Sequence, residues 1–325
     1  MKIKHILIAL MASVAMVACN NNKKQTEETY VSPAPEFSAD SAYAYVKGQC
    51  DFGPRIMNSA AHDSCALWLE SQFRRLGAQV TLQPCNVTLY DGTQAQAVNI
   101  IASYNPQATR RIIICSHWDS RPWADNDPDD ANQHTPIDGA NDGGSSTGVL
   151  LELARQMQQK MPTIGVDLIC FDAEDCGTPQ WADQGDDHES TWCLGSQFWA
   201  GEHHTAGYTA DYGILLDMVG GSGCVFRKEG FSMRYAPTVV DKVWAAAARI
   251  GYSEYFSYDE GGYVTDDHLP VNRSGIPCID IIASSKDGNG FCTTWHTVDD
   301  NFAHINKETL RAVGQTMLEV IYTEQ

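Results

Sequence analysis

Two adjacent carboxylates, Glu174 and Asp175, follow the apolar run Val166-Asp167-Leu168-Ile169-Cys170-Phe171. The run is short, β-branched and aromatic, with Pro162 and Gly165 before it, and it predicts a buried strand. In an open α/β sheet, ligands bind beyond the carboxyl ends of the strands. Neighbouring carboxylates repel each other unless a metal, a proton or a turn separates their roles. The economical arrangement has one holding a cation and the other moving protons beside it. A solvated acidic loop would carry the same pair, so the rest of the chain decides. His117, Asp142, Asp217 and His296 also follow strand-like segments or the turns beside them. Carboxylate and imidazole ligands without a thiolate suit zinc, which at a catalytic site keeps an open position beside three protein ligands.

The elements that must position these residues can be read in order. Ser38–Gln49 predicts a helix capped by Ser38. Ala60–Leu76 predicts a stronger amphipathic one, with Cys65, Leu69, Phe73 and Leu76 on one stripe and Gly77 ending it. Val80–Tyr90 and Ala97–Ser103 alternate like paired strands around the Asp91-Gly92 turn. Arg111–Ser116 is a strand that delivers His117. Gly139-Ala140-Asn141-Asp142-Gly143-Gly144 leads into a helix, Thr147–Lys160, and its glycines let the backbone approach closely. A polar loop, Cys176–Trp192, forms a rim over the carboxylate pair, and Ser196–Gly201 is a short helix. Tyr212–Leu216 is a strand delivering Asp217, Pro237–Ile250 a helix, and Asp266–Pro270 a loop. Pro277–Ile282 is the last strand and Asn306–Tyr322 the closing helix. Strands alternate with helices after Arg111. The expected fold is therefore a single α/β domain with a mostly parallel central sheet flanked by helices.

The chain has 325 residues, enough for a large core, with no boundary signal between 36 and 325. A net charge of −19 leaves no basic footprint for nucleic acid. Of the cysteines, Cys115, Cys170 and Cys278 sit in strand-like runs as buried thiols, and Cys176 and Cys193 flank one loop as a candidate bridge.

Five segments, taken together, resemble a known family. They are His117-x-Asp119-Ser120, Gly139-Ala140-Asn141-Asp142, Asp172-Ala173-Glu174-Asp175, Leu216-Asp217 and His296-Thr297. In that order they resemble the zinc aminopeptidases of the M28 type. This implies two zincs, one on His117 and Asp217, the other on Asp175 and His296, bridged by Asp142, with Glu174 as general base. A narrower resemblance is to the glutaminyl-peptide cyclotransferases, or glutaminyl cyclases, of the bacterial, animal-like type. It rests on Trp295-His296-Thr297-x-Asp299-Asp300-Asn301, on the extra acid of Asp266-Asp267-His268-x-Pro270, and on Trp181 a few residues past the carboxylate pair.

The narrower resemblance implies one zinc per chain, held by Asp142, Asp175 and His296. Glu174 is then the acid/base, with Asp266 and Asp217 an acidic chain beside it. Trp295 and Trp181 line the pocket. The implied reaction is an acyl transfer: the N-terminal Gln of a peptide or protein closes to pyroglutamate and ammonia leaves. Asp175 departs from the family, where Glu is usual, and its side chain is one methylene shorter. The alternative is an exported two-zinc aminopeptidase, which His117 and Asp217 keep open.

Residues 1–18 read as a lipoprotein signal peptide: Lys2 and Lys4, an apolar Ile6–Val17 run, then Met16-Val17-Ala18-Cys19, which resembles a lipobox. The resemblance implies a lipid anchor on Cys19. Residues 19–35 read as a flexible tether and 36–325 as the enzyme domain. The expected location is the bacterial cell envelope, periplasmic and on the outer membrane, with the chain a monomer.

Overall fold

The computed structural model describes residues 30–324 apart from 184, 186, 187, 287 and 289. The signal peptide, Cys19 and the first part of the tether lie outside the described residues. Contacts divide the chain into residues 1–31 and a body, Ser32–Gln325, which carries every element named here. Within the body, residues 32–35 are held rather than free. Ser32 Oγ donates to Glu319 Oε2 at 2.5 Å, Lys160 Nζ to the carbonyl of Pro33 at 2.7 Å, and Gln315 Nε2 to that of Pro35 at 3.1 Å. The buried Glu319 carboxylate needs such partners, and the polar composition of this stretch concealed them.

Eight strands form one mixed sheet: β1 (Gln79–Thr88), β2 (Gln94–Tyr104), β3 (Arg111–His117), β4 (Gly165–Phe171), β5 (Gly213–Asp217), β6 (Val225–Lys228), β7 (Phe256–Glu260) and β8 (Cys278–Ser284). Their order is β1-β2-β4-β3-β5-β8-β6-β7. The centre, β4-β3-β5-β8, is parallel, and β1, β2 and the β6/β8 pairing are antiparallel. The helices are α1 (Ala39–Cys50), α2 (Ala60–Arg75), α3 (Gly144–Gln159), α4 (Leu194–Gly201), α5 (Gly230–Tyr235), α6 (Pro237–Arg249), α7 (His268–Arg273) and α8 (Lys307–Thr323).

The two-residue period of the strands sorts the core. Ile112, Ile114, Val166, Leu168, Ile214 and Leu216 pack with Val149, Leu153, Val243, Leu310 and Met317 on one face, with α3, α6 and α8. Ile113, Cys115, Ile169, Phe171 and Leu215 face the other way onto Trp199 of α4 and Val271 of α7. Because both faces are covered, β3, β4 and β5 carry almost unbroken apolar runs.

The helices expected at Ser38, Ala60, Thr147, Ser196, Pro237 and Asn306 form within a few residues of those bounds, with Ser38 and Asn306 as caps. One expectation is corrected. Asp266–Pro270 is not wholly loop, because α7 begins at His268 and takes Pro270 into its first turn, where a missing N–H costs nothing. Short β6, α5 and β7 were not visible in the sequence. Among the described residues no helix is long and apolar enough to cross a membrane.

Candidate metal centre and active site

The carboxyl ends of β3, β4 and β5 converge with the turn before α3 and the turn before Thr297. His117 ends β3 and Asp217 ends β5. Three non-glycine residues at these ends are left-handed: Ala173 (φ 53°), Met218 (φ 51°) and His296 (φ 53°). Such backbone is costly for residues with a Cβ, and it persists where surrounding contacts over-determine it. At Ala173 those contacts are visible. The backbone N–H groups of Glu174 and Asp175 each donate to Asp119, at 3.1 Å, and the N–H of Ala173 donates to Asp172 Oδ1 at 2.8 Å. Asp172 in turn meets His62 Nε2 at 3.0 Å, and His62 stacks on Trp118. On the other side, Asp300 accepts from the N–H groups of Asn141 (2.7 Å) and Asp142 (3.0 Å).

Asp142, Asp175 and His296 come together, each offering an atom within 4.8 Å of the others. His296 Nε2 lies 3.2 Å from Asp175 Oδ1 and 3.6 Å from Asp142 Oδ2. Asp142 Oδ2 and both carboxylate oxygens of Asp175 are buried with no hydrogen-bond partner. Buried carboxylate oxygens in that state are expensive, and a divalent cation between them would satisfy all three. The two-oxygen, one-imidazole set fits zinc. On the far side of the imidazole, Nδ1 of His296 faces Asp125 Oδ1 at 3.3 Å, the place of the orienting partner of a metal-bound histidine. Arg121 braces both residues. It donates to Asp125 at 2.8 and 2.5 Å and to the carbonyl of Asp175 at 3.0 Å. Burial alone would raise the Asp125 carboxyl, but the bonds from Arg121 and His296 hold it well below the usual range. Burial, then Asp142, push Asp175 up to about 6.

His117, Asp142 and Asp217 make a second group that shares Asp142. In it His117 Nε2 lies 2.9 Å from Asp142 Oδ1 and 3.2 Å from Asp217 Oδ1. Burial opposes charge on this imidazole, yet Asp119, Asp142 and Asp217 hold its pKa well above the ordinary value.

Glu174 and Asp266 form a third group, with Cys193. Burial, with Asp175, Asp266 and Asp267, pushes the Glu174 pKa well up, and burial with Asp217 and Asp267 does the same to Asp266. Two tryptophans wall the pocket, Trp295 stacked on His296 at 3.9 Å and Trp192 parallel to it at 6.0 Å. The pocket has a volume of about 50 Å³.

Two expectations are corrected. Trp181 does not line the pocket; it is 42% exposed and packs on Trp123 and His134. A helical turn, His188–Thr191, precedes Trp192, which lies over Gly177, where a Cβ would stand 2.0 Å from the indole. Cys176 and Cys193 are not bridged. Cys176 Sγ is 3.7 Å from Asp119 Oδ2, and the Cys193 thiol donates to Glu174 Oε1 at 3.4 Å. Reading the sequence also missed Arg121, Asp125, Trp192 and Phe291. The i, i+4 spacing of Arg121 and Asp125 was a signal for that pair.

Residues 99–321 match the sequence profile of peptidase family M28, and the chain belongs to that family. Within it the chain is similar to the crystal structure of Bacteroides thetaiotaomicron glutaminyl cyclase bound to N-acetylhistamine. The two are 52% identical, with 90% of this chain and all of that one covered and a TM-score of 0.88. It is also similar to a structure from the same organism described as a leucine aminopeptidase precursor, at 53% identity, 91% and 100% coverage and a TM-score of 0.87. A curated relative is the glutaminyl-peptide cyclotransferase of Bos taurus, 26% identical over 70% of this chain. The chain spans 65% of that protein's length, just under two thirds.

Proposed function

We propose that the chain is a zinc-dependent glutaminyl-peptide cyclotransferase, closing the N-terminal Gln of peptides and proteins to pyroglutamate with release of ammonia. One observation carries this reading. A second buried acid, Asp266, stands with Glu174 beside the unsatisfied Asp142–Asp175–His296 trio, in a pocket walled by Trp192 and Trp295. A volume of about 50 Å³ is far below that of drug-sized ligand sites and suits one small side chain. The similarity to the B. thetaiotaomicron glutaminyl cyclase supports the same reading.

The α-amine of an N-terminal Gln lies within reach of its own γ-amide carbon, so holding the side chain in a closing geometry removes much of the barrier. Trp192 and Trp295 hold the aliphatic stem and keep bulk water out. Glu174 accepts a proton from the attacking amine and returns it to the departing ammonia. A carboxylate can do both when its pKa is raised towards neutrality, the direction that burial and the neighbouring acids give it. Asp266 and Asp217 orient the amine and share protons with Glu174. Asp142, Asp175 and His296 would hold one zinc. When bound, zinc supplies Lewis-acid polarisation of the γ-carbonyl.

The second reading, a two-zinc aminopeptidase, is favoured by the His117–Asp142–Asp217 group and by the similarity to the protein described as a leucine aminopeptidase precursor. Substrate choice separates the two. The cyclase releases ammonia and pyroglutamyl peptide from a Gln-initiated dipeptide and leaves leucine anilides intact. Anilide hydrolysis without ammonia release would establish the peptidase.

We also propose that the chain is exported and lipid-anchored through Cys19, on the strength of Lys2, Lys4, the Ile6–Val17 run and Met16-Val17-Ala18-Cys19. A Cys19→Ala variant should lose partition into detergent. Retained partition would remove the anchor.

A further inference from the structure

Beyond the catalytic reading, we propose that Cys224 and Cys292 form a disulfide that clamps one wall of the active site. Their sulfurs lie 2.9 Å apart, about 0.9 Å beyond the ~2.05 Å of a disulfide bond, so a small rotation about each side-chain bond closes the gap. Cys115 and Cys278 also meet, but both are fully buried in the sheet, where no thiol carrier reaches them.

The two positions differ in a way that suits bond formation. Cys224 is 4% exposed. It follows Gly220, whose N–H donates to Asn141 at 2.8 Å, and Gly221, whose carbonyl accepts from Thr309 Oγ1 at 2.9 Å. Cys292 is half-buried and lies on a cleft of about 250 Å³, shared with Ser222, Lys286 and Thr294, that gives a carrier access. Either sulfur can donate in the Cys224–Cys292 contact, and Cys292, the less buried of the two, is the one a carrier reaches.

Oxidation would run as a thiol–disulfide exchange. The Cys292 thiolate attacks one sulfur of a carrier disulfide, and the carrier's other sulfur leaves as a thiolate. Cys224 then gives up its proton and attacks the Cys292 sulfur, releasing the carrier's remaining sulfur. Two electrons pass to the carrier, which ends as two thiols holding both protons. The new bond spans 68 positions, a long loop, for which a cross-link restricts the unfolded chain strongly.

The clamp has a functional address. Cys292 follows Phe291, which lines the catalytic pocket and packs on Trp295 at 4.7 Å. The N–H of Trp295 donates to the carbonyl of Cys292 at 3.0 Å, and His296 is the next residue. Joining Cys292 to Cys224 ties this turn to the segment that follows Asp217.

The test equilibrates the purified full chain with oxidised glutathione, blocks remaining thiols and maps unreduced peptides by mass spectrometry. The expected result is a linked pair of peptides carrying Cys224 and Cys292, two hydrogens lighter than the separate thiols. A Cys224→Ser variant should instead keep glutathione on Cys292, because nothing resolves the mixed disulfide. Relative to its dithiothreitol-reduced form, the oxidised wild type should melt several degrees higher. It should also show a several-fold lower KM for a Gln-initiated peptide at similar kcat. Both thiols blocked, or glutathione stable on Cys292 of the wild type, would overturn the bond whatever the substrate proves to be. Equal melting points and KM values in the two forms would overturn the clamp.

Discussion

The indole of Trp192 lies parallel to the imidazole of His296, with centroids 6.0 Å apart and planes 3° apart. The guanidinium of Arg121 stands over the same indole, 4.4 Å from its centroid. This tryptophan is therefore held by His296 and Arg121 where it lines the pocket, as a wall for an aliphatic stem requires. Trp192→Ala should raise KM for Gln-peptides by about tenfold or more, the scale of one lost apolar contact surface. Trp181→Ala should leave KM unchanged. Steady-state kinetics on the two variants checks this, and the reverse ranking would restore Trp181 as the wall.

Glu174 carries the proton transfers, so its carboxylate can be replaced while the metal ligands stay. Glu174→Gln should lower kcat by about 10²–10⁴-fold, the usual worth of a positioned general acid/base. Zinc content should match wild type by metal analysis. An active Glu174→Gln enzyme would move the role elsewhere, with Asp266 the next candidate.

Asp125 touches no substrate and acts through His296 and Arg121. Asp125→Asn removes the charge that orients the imidazole while preserving volume. Zinc affinity should fall by about 10–100-fold, the usual cost of such a partner. Competition with a calibrated chelator measures it, and an unchanged affinity would show that His296 is oriented by packing alone.

The His62–Asp172 pair links pH to stability. Burial disfavours charge on His62, but the Asp172 charge and hydrogen bond raise its pKa to about 9. A raised histidine stabilises the fold fully below its unfolded value of about 6.5, and that contribution fades as pH climbs through 9. Over this window the wild type should lose up to roughly 3 kcal/mol that a His62→Gln variant never had. Urea unfolding at pH 6 and pH 9.5 reads the difference, and parallel losses in the two proteins would uncouple the pair from stability.

Much of this site was legible because its residues sit where strands end. His117, Glu174, Asp175 and Asp217 each follow an apolar run, and the runs are apolar throughout because both faces of the central sheet are covered. Trp192 was not legible. The Cys176–Trp192 loop has no periodicity, and which of its tryptophans turns inward depends on Gly177 clearing space beneath it. The left-handed turns at Ala173, Met218 and His296 were hidden for a related reason. No glycine marks them; side chains distant in sequence hold the backbone that follows, Asp119 after Ala173, Ser145 after Met218 and Asp127 after His296. Strands β6 and β7 are four and five residues long at a sheet edge, too short for a period to show.

The central claim is that one zinc, held by Asp142, Asp175 and His296, suffices for cyclisation. Metal-free protein should be titrated with zinc while pyroglutamate and ammonia are followed from a Gln-initiated dipeptide. The account predicts that both products appear in equal amounts and that the rate reaches its plateau at one zinc per chain. A plateau at two zincs, with leucine anilide hydrolysed and no pyroglutamate formed, would contradict it.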